Sequence, residues 1–269
     1  MKKIFIFIGI LVIAISIIKS NIQKPKNLSK NTKESLSELA DFNANLADDL
    51  STGDGFNEDK YTLKKSIERS DKPVSSSDKN FSIALPLMKD FKKKDLQASN
   101  EYYKFVNSTN IEEALSNETL INSNKINFFI SKIDELNNAY DKYLFVYDQN
   151  VAELKRNMIN SEITKEFISG FEGSLKQSRE RMERLKNSTF NYYSRLKGIL
   201  KLADTINSKN LFMLDGDSLV ILDDNYLNKY NVAIEKFNKA LGIMEKEQEA
   251  YIQNMRNSSN KLKDYIEKN

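Results

Sequence analysis

The side chains that most often carry catalysis near neutral pH are missing from this chain, which contains no histidine and no cysteine. Imidazole ligation of metals, His-assisted nucleophiles and thiolate chemistry are therefore excluded. What remains is carboxylate, lysine, serine and tyrosine chemistry. Ser194-Arg195-Leu196-Lys197 and Ser258-Ser259-Asn260-Lys261 have the Ser-x-x-Lys spacing in which an amine can activate a hydroxyl, but a chain this rich in both residues produces such matches by chance. Asp215, Asp217, Asp223 and Asp224 form a dense carboxylate group of the kind that short loops offer to calcium. Their spacing lacks the alternate ligand positions and the closing glutamate, because Leu219 and Ile221 stand in the middle. Turn and helix-capping duty is the expected role. Asp54 with Glu58 and Asp59 fails the same test and reads as an exposed acidic loop. No glycine-rich phosphate loop or dinucleotide fingerprint occurs. The expectation is a non-enzyme with no cofactor and no metal.

Basic groups are equally unspecialised. Lys92-Lys93-Lys94 is interleaved with Asp90 and Asp95, and Arg179, Arg181, Arg184 and Lys186 with Glu180 and Glu183, which predicts solvated mixed-charge helix faces. With 41 basic against 38 acidic residues the formal charge is +3, so no nucleic-acid partner is expected. The Asn-x-Ser/Thr sequences at Asn107, Asn117, Asn187 and Asn257 reflect a high asparagine content unless the host glycosylates.

The elements that would position any site are helices, since 8 glycines and 3 prolines in 269 residues leave little turn chemistry for a many-stranded sheet. A first helix is predicted from Asn31, capped with Glu34, through Leu36, Leu39, Leu46 and Leu50 to Gly53-Asp54-Gly55. A short candidate helix spans Tyr61 to Ile67, and 70–80 reads as an exposed Ser-rich loop. Pro86 fits the first turn of the next helix, whose apolar face is read as Leu87, Phe91, Ala98, Tyr102 and Phe105. Thr109 and Glu112 form a capping box for a short helix through Ile111, Ala114 and Leu115. After Ser123 three heptad seams follow. The first runs Ile126, Ile130, Ile133, Asn137, Tyr140, Leu144, Tyr147, Val151, Leu154 and Met158. The second runs from Ile168 to Ile206 by alternating steps of three and four. The third runs from Leu227 through Phe237 and Met244 to Tyr265. Asn160-Ser161 breaks the first seam and starts the next helix, which makes a helical hairpin. Aromatic seam residues favour a multi-helix bundle over a two-stranded coiled coil. The predicted fold class is all-α, an elongated antiparallel bundle with coiled-coil-like hairpins and one short β-hairpin insertion near 211–222. Heptad seams close equally well within one chain or between copies.

The insertion is the one break in the helical pattern. Leu211-Phe212-Met213-Leu214 and Leu219-Val220-Ile221-Leu222 flank Asp215-Gly216-Asp217-Ser218, a hairpin signal, and Asp223-Asp224-Asn225 caps the last helix. Four-residue strands are marginal alone, so the hairpin must lie against the bundle or another molecule. Phe212, Met213, Leu219, Val220 and Ile221 are the predicted partner or membrane contacts. The layout resembles that of the α-helical pore-forming toxins, in which a hydrophobic tongue on an extended bundle inserts into a target membrane. That resemblance implies a membrane-active protein, although arms of about four residues are too short to span a bilayer.

Ahead of the bundle stands an uncharged apolar run after Met1-Lys2-Lys3, comprising Ile4, Phe5, Ile6, Phe7, Ile8, Gly9, Ile10, Leu11, Val12, Ile13, Ala14, Ile15, Ser16, Ile17 and Ile18. It is either a secretory signal peptide or an N-terminal membrane anchor. As a helix it would reach roughly 22 Å against a hydrocarbon core of about 30 Å, so spanning requires tilt or local thinning. Ala14-Ile15-Ser16 satisfies a small-x-small cleavage pattern from inside the apolar run, and retention as an anchor is the expectation. Lys19, Lys24, Lys26, Lys30 and Lys33 follow the run and oppose export under the positive-inside rule, whereas the leader's order favours it. The division expected is 1–20 signal or anchor, 21–31 tether and 32–269 one helical domain. The functional expectation is a bacterial envelope protein, with its body extracytoplasmic or secreted if the leader is cleaved. It would bind a protein partner or envelope surface without catalysis. The alternative is a secreted membrane-active protein using the 211–222 hairpin.

Overall fold

The computed structural model describes residues 28–52 and 73–269. Among these the order is α1 (Lys30–Thr52), α2 (Ser76–Ser108), a 3₁₀ turn (Ile111–Leu115), α3 (Asn117–Leu120), α4 (Ser123–Ile159), α5 (Lys165–Ser208), β1 (Phe212–Asp215), β2 (Ser218–Ile221) and α6 (Asp224–Lys268). The protein is an all-α helical bundle with one antiparallel two-stranded hairpin. Its chain contacts divide into two compact units, and the boundaries fall inside α2, α4, α5 and α6. Unit one holds Tyr102–Lys142 and Arg184–Gln248; unit two holds, of the described residues, 28–52, 73–101, Tyr143–Glu183 and Glu249–Asn269. The predicted anchor residues Ile4 to Ile18 and the candidate helix Tyr61 to Ile67 lie outside the described residues.

Unit two is a bundle of five helical segments. Each carries one apolar stripe, and burying those stripes removes them from water at a gain of roughly 25 cal/mol per Å². Phe81 of α2 packs edge-on against Phe167 of α5 at 5.3 Å and also meets Tyr265 of α6. Phe91 of α2 packs edge-on against Tyr147 of α4 at 5.9 Å. Buried Ser259 of α6 donates to the Ala40 carbonyl of α1 at 2.8 Å, which requires close approach of those two helices. In unit one, Tyr140 of α4 lies edge-on to Tyr102 of α2 and Phe190 of α5, while Tyr192 of α5 meets Phe237 of α6. Such edge-to-face pairs add about 0.5–1.5 kcal/mol each beyond area burial.

The predicted seams of α4 and α5 are buried almost throughout, and the break between them falls at Asn160-Ser161. The next helix takes its cap later, however, from Thr164, whose hydroxyl accepts from Phe167 N. Other helix starts also move. Ser29 caps α1 by accepting from Thr32 N, so Asn31 lies inside the helix. The short element after α2 is a 3₁₀ turn behind left-handed Asn110; Thr109 does not cap it and instead donates to the Val106 carbonyl at 2.7 Å.

The 70–80 segment departs most from expectation, because the described part of it is an exposed loop only as far as Ser75. Ser75 caps α2, which opens at Ser76. Ser75 Oγ accepts from Asp78 N, and the Asp78 carboxylate reaches back to Val74 N at 2.9 Å and across to Ser29 N and Oγ at 3.1 and 2.9 Å. One buried carboxylate thus joins the starts of α1 and α2. Pro86 stands well inside α2, not in its first turn. It is exposed, and its missing N–H cannot bond the carbonyl of Ser82 one turn back.

Burial opposes ionisation of Asp78, but hydrogen bonds from Thr32, Val74 and Ser29 outweigh it and hold the carboxyl below its ordinary value. The stability this group contributes is present above the unfolded-state pKa and is lost as pH falls through the folded value. Asp78→Ala is expected to cost about 1–2 kcal/mol at pH 7 and much less once pH has fallen below the folded-state value, read from urea unfolding midpoints.

Candidate functional site

Two arrangements carry the chemistry of this protein, one in each unit. The first is the hairpin of unit one. β1 and β2 pair with Phe212 opposite Ile221, Met213 opposite Val220, Leu214 opposite Leu219 and Asp215 opposite Ser218. Leu222 N donates to the Leu211 carbonyl, which extends the ladder by one pair. Gly216 has φ +59° whereas Asp217 does not enter the positive range, the φ signs of a type II′ turn, for which glycine is favoured at the first central position. Side chains alternate between the faces of a strand. One face therefore presents Phe212, Leu214, Leu219 and Ile221, and the other Leu211, Met213, Val220 and Leu222. Both faces are apolar, yet none of these eight residues is buried.

Of the predicted contacts, Met213 is 46% exposed, while Phe212, Leu219, Val220 and Ile221 are half-buried. The most exposed members, Leu214 at 51% and Leu222 at 56%, belong to the predicted hairpin but not to its predicted contacts. Strict alternation was the signal that could have found Leu214, since it shares a face with Phe212. The uncovered surface continues into α6. Leu227 and Val232 are exposed and Tyr230 and Ile234 half-buried, whereas the same seam from Phe237 to Leu262 is largely buried. Asp223 caps this helix as expected, accepting from Asn225 N and Tyr226 N.

The second arrangement is a buried polar cluster in unit two. Lys92 of α2 is not on a solvated face as its neighbours suggested. It is 2% exposed, its ammonium lies 2.5 Å from Asn43 Oδ1 of α1, and it stands over the Phe42 ring at 4.5 Å. Asp95, one turn on, is fully buried and accepts from the Tyr143 hydroxyl at 3.1 Å. Its other oxygen has no hydrogen-bond partner among the described residues, nor does the nearby Tyr147 hydroxyl. The sequence signal was present. Phe81, Leu85, Met88, Lys92, Asp95, Ser99, Tyr102 and Val106 alternate steps of four and three and are all buried, so the charged pair occupies seam positions. The stripe read through Leu87, Ala98 and Phe105 follows a half-buried flank instead.

The remaining candidates are not assembled into a site. Ser194 is exposed and Lys197 is engaged by Asp134 at 2.6 Å; Ser258 is buried while Lys261 is exposed. Arg179 clasps Asp148 and Glu183, and Lys186 pairs with Asp141, so these basic residues are engaged by carboxylates. Among the described residues no group of three or more acidic side chains is placed to hold a metal ion, and no helix is long and apolar enough to cross a membrane.

Burial pulls the Lys92 amine down to about 7 against the opposing charge of Asp95, and pushes the Asp95 carboxyl up to about 8 against the Tyr143 hydrogen bond and Lys92. From pH 3.8 to about 8 the folded chain keeps a proton on Asp95 that the unfolded chain releases, so this group lowers stability as pH rises. From about 7 to 10.5 the unfolded chain keeps a proton on Lys92 that the folded chain releases, so stability recovers with pH. Urea unfolding midpoints should dip near neutrality. Asp95→Asn should abolish the fall on the acid side, and Lys92→Met the rise on the alkaline side, each a slope approaching about 1.4 kcal/mol per pH unit. In comparisons with known proteins, no family model matches the chain, no curated protein matches its sequence, and no solved structure matches it.

Proposed function

We propose that this chain is a bacterial envelope protein, held at the membrane by its N-terminal segment, whose helical body is extracytoplasmic and serves as a non-catalytic binding or structural module. If the segment is cleaved, the body is secreted. The observation that carries this reading is the doubly apolar, uncovered hairpin of unit one, whose apolar surface continues onto the first turns of α6 while the seams of α4 and α5 are largely covered. Contiguous exposed apolar surface on a folded body marks a site of association. The export-type order of Lys2-Lys3, the apolar run to Ile18 and the lysine-rich stretch from Lys19 supports the location.

A second reading is a secreted membrane-active protein that applies the same hairpin to a lipid surface, favoured by the exposure of Met213, Leu214 and Leu222. Against it stand the acidic tip residues Asp215 and Asp217, which anionic lipid would repel.

Cell fractionation with protease added to intact cells tests the location. The body should be degraded outside the inner membrane after the outer barrier is opened, and a body that stays protected in the cytoplasm rejects the proposal. Dye-loaded vesicles test the second reading. Leakage that is abolished by Leu214→Asp, an exposed position whose change spares the fold, would favour it over partner binding; an unchanged dye signal with the native chain counts against it.

A further inference from the structure

The uncovered hairpin has a charge pattern as well as an apolar one, and the two together specify what fits it. Neither face of the β1–β2 ladder is solvated in the ordinary way, since an antiparallel pair on a surface normally turns a polar face to water. Among the described residues both outer edges of the two-stranded sheet are also without a neighbouring strand. The tip is held in place, because Asn117 of α3 donates to the Asp217 carbonyl at 2.7 Å. That tip is acidic. Asp215 and Asp217 flank Gly216, both are exposed, and neither forms an ion pair with a cation of the described residues. The nearest basic residues in sequence, Lys209 and Lys229, sit at the other end of the strands, where both ammonium groups lie over the Tyr226 ring at 5.7 and 5.0 Å.

An apolar strip that ends in uncompensated carboxylates discriminates among occupants. Anionic lipid and a second copy's hairpin would each bring negative charge against Asp215 and Asp217. A basic surface would instead neutralise them while covering the apolar strip. We infer that the hairpin is a docking element for a basic amphipathic segment of another protein, with the partner's apolar side chains on Met213 and Leu222, the face that Asp215 shares, and its lysine or arginine at Asp215 and Asp217. This rests on the binding-module reading given above.

The test places the photoreactive residue p-benzoylphenylalanine at Met213 in the full chain in living cells, with the exposed Lys176 of unit two as the control position. Supporting results are a protein adduct at Met213, mapped by mass spectrometry to a partner peptide rich in lysine or arginine, and a roughly tenfold loss of that adduct in the Asp215→Asn, Asp217→Asn double variant. Circular dichroism of the variant should be unchanged, since neither carboxylate supports the ladder. Adducts to lipid, to a second copy of this chain or to an acidic peptide overturn the inference, as does an adduct indifferent to the double variant. Adducts at Lys176 but none at Met213 overturn this docking site and leave the binding-module reading standing; adducts at neither position overturn both.

Discussion

Each long helix of this protein has a single apolar stripe on an otherwise charged circumference, and everything else follows from the need to cover that stripe. There is no disulfide to constrain the unfolded chain and no metal-ligating histidine or cysteine to pin elements together. Stripe-to-stripe contact is therefore the main source of cohesion, and aromatic residues supply much of it. Phe81, Tyr147, Phe167 and Phe171 in unit two, and Tyr140 and Tyr193 in unit one, are among the largest fully buried side chains. The surface ion pairs that lace the helices, such as Lys186 with Asp141 or Arg256 with Asp48, add little individually but keep charged faces outward and so define which side of each helix is left for packing.

Where a stripe is made of apolar residues alone it can be read from the sequence. The seams of α4 and α5 are legible for that reason, as is the C-terminal two thirds of α6. The α2 stripe is not, because Lys92 and Asp95 occupy two of its positions, and a charge in a seam erases the periodicity that identifies it. Helix starts fail for a different reason. Ser29, Ser75 and Thr164 cap their helices, but the sequence offers several Ser, Thr and Asn within a turn of each start, and only tertiary contacts such as Asp78 to Ser29 select among them. The hairpin was legible from its turn residues. Its degree of exposure was not, since a run of apolar residues reads the same whether it is buried or waiting for a partner.

That difference matters for how the two units behave chemically. In unit one, apolar surface remains where the hairpin and the first turns of α6 stand uncovered, a cost accepted in the isolated chain and recoverable on association. In unit two the cost is internal. Lys92 and Asp95 are buried among Asn43, Phe42, Tyr143 and Tyr147, where the desolvation of two ionisable groups is only partly offset by their hydrogen bonds. Such a cluster fixes the axial register of α1 against α2, because sliding either helix by one residue would strand an amine against apolar side chains.

The seclusion of Lys92 has a practical consequence. Burial favours the neutral, nucleophilic form of the Lys92 amine near neutrality, yet at 2% exposure it is closed to acylating reagents in the folded bundle. Exposed lysines such as Lys93 and Lys176 can react in the folded state. Lys92 can do so only during the intervals when α1 and α2 part, so the pace of its modification is a clock for the breathing of that helix pair, built into the native sequence without any added probe.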